Sequence, residues 1–341
     1  MKWIFLLFIV FILKFCSIKP EAKTKLTLDS KSRTYIYGDT LKFSIQSTDK
    51  FDSIKFYLDD KIIKSPYFIN HDKLGDKKLS AKLYDNHKII EINESLRILS
   101  SLKPSLYTYK IINEYPHDKN SYTQGFEFYK TKLYESTGLK GESTLREINL
   151  LNGKPNRMIK IDKQFFAEGL TILNDSIYQL TWKAGIGFVY TINDFKLVKS
   201  FNYDKSTEGW GLCNDSKFIY KSDGSEKIWK LDSSSQKELS FIQVTTDKTI
   251  IKKINELEWV NGKIYANTYQ FQKEVVLIIN PINGQVTGVI DFSGLKDKVD
   301  QIPSLNVLNG IAYNSDTKTF FITGKNWSKI FEVEIRKKNA R

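Results

Sequence analysis

A repeat limits how this chain can fold more than any other feature. Five stretches share one form: TQGFEFYKTKLYESTG (123–138), AEGLTILNDSIYQLTW (167–182), GWGLCNDSKFIYKSDG (209–224), NELEWVNGKIYANTY (255–269) and NGIAYNSDTKTFFITGK (309–325). Each reads as a strand, a tight turn rich in Asn, Asp or Lys, and a second strand. Further strand-like runs follow most of them, and Asn152-Gly153 and Asn283-Gly284 carry the Asn-Gly signal of a hairpin. Aligned on the first strand, the repeats bring Gln124, Glu168, Trp210, Asn255 and Asn309 into register, at offsets of 44, 42, 45 and 54 residues. A period of this size with about four strands per unit is the pattern of a β-propeller, and five units predict five blades. Closing the blades in a ring disposes of open sheet edges.

The first two strands of each unit form an antiparallel hairpin. The start of the first and the end of the second therefore lie at the same edge, away from the turn. The starts carry the five residues above, and the ends carry Gly138, Trp182, Gly224, Tyr269 and Lys325. These ten positions are predicted to ring one face of the propeller near its axis. They hold one acid, one base, three amides and three aromatics. A purely structural repeat would reuse one residue in every blade, so the variation marks a site. A lone loop glutamate is ordinarily an exposed acid. Glu168 instead follows Phe165 and Phe166 at the mouth of a strand, with Trp182 across from it. Partial desolvation there raises a carboxyl pKa.

The chain before the repeat is organised differently. Residues 25–103 hold runs such as RTYIYGDTLKFSIQS and SIKFYLDDKIIKS, with period-two alternation and turns at Gly38-Asp39, Asp59-Asp60 and Asp85-Asn86. They predict a small immunoglobulin-like β-sandwich. The whole is then all-β: residues 1–24 an export signal and tether, 25–103 the sandwich, 104–341 the five-bladed propeller. The opening MKWIFLLFIVFILKFCS has a basic Lys2 and a short apolar run closed by Cys16. It reads as an export signal, with Cys16 where a bacterial lipoprotein would be lipidated. Leu13-Lys14-Phe15 departs from the small-residue box before such a cysteine, which leaves a plain signal peptide or an uncleaved anchor as alternatives. The expected location is exported, periplasmic or anchored at the membrane through that lipid.

Composition excludes several classes. The net charge is +13, but the 52 Lys and Arg are scattered among 39 acids without a basic block interleaved with aromatics, which speaks against nucleic-acid binding. Two cysteines, Cys16 and Cys213, leave no intrachain disulfide in the mature domain, and Cys213 reads as a core thiol. Three separated histidines, His71, His87 and His117, do not make a zinc centre, so no metal is expected. His117-Asp118 reads as a structural turn before the first blade, and Asp223 as a turn residue.

Several motifs together resemble the glutamine cyclotransferase family, of the plant and bacterial type, over about residues 110–336. They are YPHDKNSYTQGF (115–126), LYESTGLKGESTLREI (133–148), FFAEGLTIL (165–173), IYQLTWK (177–183), GWGL (209–212), SDGS (222–225), NELEWVNGKIYAN (255–267), VLNGIAY (307–313) and TGKNW (323–327). The resemblance implies a five-bladed propeller that converts the N-terminal glutamine of peptides or proteins to pyroglutamate and releases ammonia, with no cofactor. It places the acid/base group at Glu168, with Gln124, Asn255 and Lys325 as the other catalytic candidates. It makes Phe166, Trp182 and Trp210 pocket walls. Tyr269 stands where a further tryptophan is usual, and Tyr122 where phenylalanine is common. A non-catalytic extracytoplasmic propeller that binds peptides is the alternative. A sugar-processing propeller would want a second carboxylate on the ring, where only Glu168 is an acid.

Overall fold

The structure, a computed structural model, describes residues 24–70, 72–86 and 88–338. The export segment and Cys16 lie outside the described residues, as do His71 and His87. The fold is all-β. Apart from the short 3-10 turn Lys296–Lys298, every regular element among the described residues is a strand.

From Thr123 onward the repeat becomes a succession of four-stranded antiparallel sheets. The first is built from Thr123–Tyr129, Lys132–Thr137, Thr144–Asn149 and Lys154–Lys160. The next three begin at Ala167–Leu173, Leu212–Asn214 and Ile254–Val260 in the same up-and-down order. The inner strands are buried along almost their whole length, while the outer strands Lys154–Lys160 and Leu197–Asn202 are largely exposed. At the two-residue turns Asn174-Asp175 and Asn261-Gly262 both residues have positive φ, as the type I′ hairpin turn requires. At the two Asn-Gly pairs singled out above, only the glycine is left-handed (Gly153 φ 67°, Gly284 φ 86°). These hairpins have longer loops, so the dipeptide marked the turns but not their type.

The last sheet has an unexpected member. Leu308–Asn314, Thr319–Gly324 and Lys329–Lys337 supply three strands, and the fourth is Ser105–Pro116, from the start of the repeat region. Ser105–Pro116 runs antiparallel to Lys329–Lys337, while Ser105, Leu106 and Tyr107 also pair in parallel with Gly288, Val289 and Ile290. The last two sheets thereby merge into one of eight strands. The inner strands touch in a closed cycle, with Thr123–Tyr129 against both Ala167–Leu173 and Leu308–Asn314. Their approach is backbone to backbone: a Cβ on Gly169 would lie 2.5 Å from the Trp210 carbonyl oxygen, and one on Gly211 would lie 2.2 Å from that of Asn255.

Residues 25–99 form a five-stranded sheet in the order Thr34–Ile36, Lys88–Leu99, Gly75–Asp85, Ser53–Leu58, Lys61–Ile63, together with two small two-stranded pairings. Its strands Gly75–Asp85 and Lys88–Leu99, of 11 and 12 residues, form a hairpin longer than the short strands expected. It has a core of its own around Leu41, Leu79 and Ile98. It meets the ring through Leu74 N–H to the Asn283 carbonyl (2.9 Å), Asp76 N–H to Gln243 Oε1 (2.8 Å) and Ser100 N–H to the Thr246 carbonyl (3.1 Å).

The seam between the first and last sheets is held by a buried polar network. His117 Nε2 lies 3.0 Å from Glu135 Oε1, Thr123 Oγ1 donates to the same oxygen at 2.7 Å, and Arg146 Nη1 lies 3.7 Å from Glu135 Oε2. His117 Nδ1 lies 2.9 Å from the Trp327 carbonyl oxygen. Burial works against a charged His117, but Glu135 and that carbonyl outweigh it and hold its pKa above the usual 6.5. Burial also opposes an ionised Glu135, yet His117 and Arg146 hold its pKa below the usual 4.5. The Glu135 contribution to stability is therefore present above pH 4.5 and lost as pH falls through its folded value. The His117 contribution is complete below pH 6.5 and lost as pH rises through its folded value. Glu135→Gln is expected to lower stability by about 3–5 kcal/mol. The loss should be largest between pH 4.5 and 6.5, read from urea unfolding midpoints across that range.

Candidate active site

A β-strand shows alternate side chains to opposite faces, so a regular inner strand would aim its first residues along the pleat. Here the pairing slips at the strand starts: between Thr123 and Gly125, Ala167 and Leu170, Ile254 and Leu257, and Leu308 and Ile311. These β-bulges fall on Gln124, Glu168, Asn255 and Asn309. A bulge re-aims side chains at the rim of a sheet, and these turn into one cavity or its floor.

The cavity encloses about 170 Å³ and is lined by Tyr122, Gln124, Phe166, Glu168, Trp182, Trp210, Asn255, Tyr269 and Lys325. The structure thus brings together all nine catalytic and substrate-binding candidates named from the sequence. Of the other ring positions, Asn309 lies beneath. Gly138 and Gly224 leave room for the walls: a Cβ on Gly138 would lie 2.4 Å from the Phe166 ring, and one on Gly224 2.3 Å from the Trp210 ring. A wider surface hollow between Glu114–Asn120 and Asn152–Pro155 includes none of the nine.

Glu168 is 4% exposed. Its Oε1 accepts from Gln124 Nε2 at 3.1 Å, while its Oε2 has no partner. Asn309 Nδ2 donates to the Thr123 carbonyl (2.9 Å) and to Gln124 Oε1 (3.3 Å). The second bond turns the amide so that its NH2 faces the carboxyl. Asn255 is buried with both side-chain polar atoms unpaired. Buried polar groups are nearly always hydrogen-bonded, so unpaired atoms of Glu168 and Asn255 in one cavity mark places for a polar ligand.

Lys325 is 3% exposed, and it does not bond to Glu168, whose Oε1 is taken by Gln124 and whose Oε2 is unpartnered. Its Nζ lies 4.6 Å from the Tyr122 ring centroid and 5.2 Å from that of Tyr269, as a cation held on aromatic faces. Burial lowers its pKa to about 8, with the Glu168 charge opposing. Burial raises the Glu168 pKa well above the usual carboxyl range. The Lys325 charge works against that shift and the Glu208 charge adds to it. The other walls meet edge to face or tilted: Tyr122 and Phe166 at 6.1 Å, Phe166 and Trp182 at 5.5 Å, Trp210 and Tyr269 at 5.9 Å.

One residue at this site escaped the sequence reading. Glu208 Oε2 accepts from both indoles, Trp182 Nε1 at 2.8 Å and Trp210 Nε1 at 2.9 Å. It lies in the connecting segment before the third sheet, outside the ten strand-end positions, and its one visible signal was an acid two residues before Trp210. The acid count of the ring therefore understated the carboxylates near the cavity. His117 takes part in the seam network, Asp223 accepts from Trp229 Nε1 at 2.7 Å, and Cys213 is buried; none lines the cavity. Among the described residues, no group of three or more His, Cys, Asp and Glu is placed to hold a metal ion.

Fold and site define a class: an all-β protein in which successive four-stranded sheets surround an aromatic-lined cavity holding a carboxylic acid, a lysine and two amides. The chain belongs to the glutamine cyclotransferase family, whose model matches residues 86–335. It is similar to a glutaminyl-peptide cyclotransferase of Arabidopsis thaliana, 33% identical over 235 residues, which cover 68% of this chain and 72% of the relative. It is also similar to the crystal structure of glutaminyl cyclase from Myxococcus xanthus, at 35% identity and a TM-score of 0.64, covering 70% of this chain and 100% of the other.

Gly224 has φ 76° and lies against Trp210. Gly224→Ala is expected to displace that indole and to weaken ligand binding with little loss of fold. Circular dichroism and titration with a glutaminyl peptide check both.

Proposed function

We propose that this chain is a glutaminyl-peptide cyclotransferase acting on peptides or proteins that begin with glutamine. The observation that carries the reading is the pairing of a buried carboxyl bearing one unpartnered oxygen with a buried lysine and an unpaired amide inside an aromatic cavity. The cavity volume, about 170 Å³, lies below the ~300–1,000 Å³ of sites that enclose whole drug-sized ligands. It suits one terminal residue, with the rest of the peptide outside.

The reaction joins the α-amino nitrogen to the side-chain carbonyl carbon and breaks the bond from that carbon to the amide nitrogen. Aromatic walls on several sides favour a folded-back glutaminyl chain, which brings nitrogen and carbon together before reaction. Glu168 in its ionised form takes a proton from the attacking amine. The carbonyl oxygen gains negative charge as the tetrahedral centre forms, and Lys325 with the Asn255 amide supplies positive charge and a donor to it. Glu168 then returns the proton to the departing nitrogen, which leaves as ammonia. A carboxyl with a raised pKa serves both transfers because it is a stronger base towards the amine than an ordinary carboxylate and can still return the proton to the leaving nitrogen. Gln124, held by Asn309, orients the carboxyl.

The same reading assigns residues 104–341 to a five-bladed propeller, whose last blade is completed by Ser105–Pro116, and residues 25–103 to an immunoglobulin-like sandwich. The closed cycle of inner strands supports the first, and the separate core supports the second. Export, with a lipid anchor at Cys16, is proposed from the opening apolar run alone.

Purified protein incubated with a Gln-initiated peptide is expected to produce a mass loss of one ammonia. Glu168→Gln should keep the fold and lower kcat by on the order of 10²-fold or more. A folded Glu168→Gln variant with normal turnover would overturn the acid/base role of Glu168, whereas wild-type protein that binds the peptide without releasing ammonia would favour the peptide-binding alternative. At low substrate, kcat/KM should fall as pH rises through about 8, because Lys325 of the free protein loses its proton there. The residual activity of Lys325→Gln should lack that limb in a pH–rate profile.

A further inference from the structure

We infer that Glu208 is a positioning residue that holds both tryptophan walls of the cavity with one carboxylate oxygen, and so sets the width of the pocket for the glutaminyl side chain. The inference rests on the proposed reaction for its kinetic consequence, but not for its geometry. Trp182 and Trp210 belong to different sheets. Trp182 follows the second strand of one, Ser176–Thr181, and Trp210 precedes the inner strand of the next, Leu212–Asn214. Nothing in a two-sheet seam obliges two indoles to keep a constant separation. Glu208 Oε2 accepts from one at 2.8 Å and the other at 2.9 Å, and bonds to an ionised acceptor are the stronger kind.

The other contacts agree with a clamp. Lys183 Nζ lies 4.2 Å over the Trp182 ring and 3.9 Å from Glu208 Oε1, so it meets both the carboxylate and one of the indoles it holds. The segment bearing Glu208 does not need that carboxylate to stay in place. Lys205 N–H and Ser206 N–H donate to Glu238 Oε2 at 2.7 and 2.9 Å, and Glu238 Oε1 pairs with the buried Lys221 at 2.7 Å. Tyr203 OH donates to the Thr181 carbonyl at 2.7 Å, and Gly209 N–H donates to the Trp182 carbonyl at 3.1 Å. With the backbone secured on both sides, the Glu208 side chain is left for the indoles.

Reach and charge can be separated. Glu208→Asp keeps the charge but is one methylene too short to span both N–H groups. Glu208→Gln keeps the length and a carbonyl oxygen that can accept twice, but loses the charge. Both should lower kcat/KM for a Gln-initiated peptide, the aspartate by on the order of tenfold more than the glutamine, and mainly through KM. The indole N–H signals of ¹⁵N-tryptophan-labelled full-length protein, assigned with Trp182→Phe and Trp210→Phe, give a readout that needs no turnover. In Glu208→Ala and Glu208→Asp, two of these signals should move; in Glu208→Gln the same two should move less, because both bonds persist to a weaker, neutral acceptor. Indole signals of Glu208→Asp that coincide with wild type would overturn the clamp. So would a Glu208→Gln variant more impaired than Glu208→Asp, which would make charge the operative property. Wild-type protein inert towards Gln-initiated peptides would remove the proposed reaction, and the indole signals would still decide the clamp. Should Glu208→Ala not fold, the aspartate and glutamine variants carry the same comparison.

Discussion

Everything at the site depends on closure of the cycle of sheets. The inner strands approach so closely that backbone meets backbone at Gly169 and Gly211. Such contacts hold their spacing only if the first and last sheets are tied together. Ser105–Pro116 does this by pairing along Lys329–Lys337, far away in sequence. The buried His117–Glu135–Arg146 network then locks the same seam from within. Gln124 follows Thr123, which donates to Glu135, and Lys325 lies between Thr323 and Trp327, which both contact His117. The two sides of the cavity that come from opposite ends of the repeat are therefore held by the contacts that close the ring.

With the ring closed, the cavity holds two ionisable groups away from bulk solvent. Glu168 and Lys325 are both almost fully buried, and they face the same space without forming an ion pair. A direct pair would satisfy both groups and leave nothing for a ligand. Instead the ammonium rests on two tyrosine rings, and the carboxyl is held by one amide, with an oxygen left over. Burial pushes the two pKa values towards each other, the acid up and the lysine down. Shifts of this kind, from burial beside a specific charge in a cleft, are characteristic of functional sites. The aromatic walls supply the desolvation, so the orientation of Trp182 and Trp210 bears on the chemistry as well as on binding.

Much of this was legible in the sequence. The strand–turn–strand repeat carried the all-β class, and the antiparallel rule for hairpins placed Gln124, Glu168, Asn255 and Lys325 at one edge. Less was legible where the partner is remote. No local pattern tells that Ser105–Pro116 pairs with the chain's last strand rather than with its neighbour in sequence. The Asn-Gly pairs signalled hairpins, but their loop lengths followed from where the strands stop pairing. Glu208 went unnoticed because strand-end arithmetic has no term for a connecting segment.

The sequence by itself determined what kinds of group could meet: the residue types of the ring, their spacing, and the apolar alternation that makes each repeat a sheet. These are local properties, set by side-chain chemistry and a period of two. The tertiary structure decided the protonation behaviour of Glu168 and Lys325, the bulges that turn side chains into the cavity, and the sharing of one Glu208 oxygen by two indoles. Desolvation, strand register and hydrogen-bond angle depend on atoms contributed by several sheets at once, and these come together only when the ring closes.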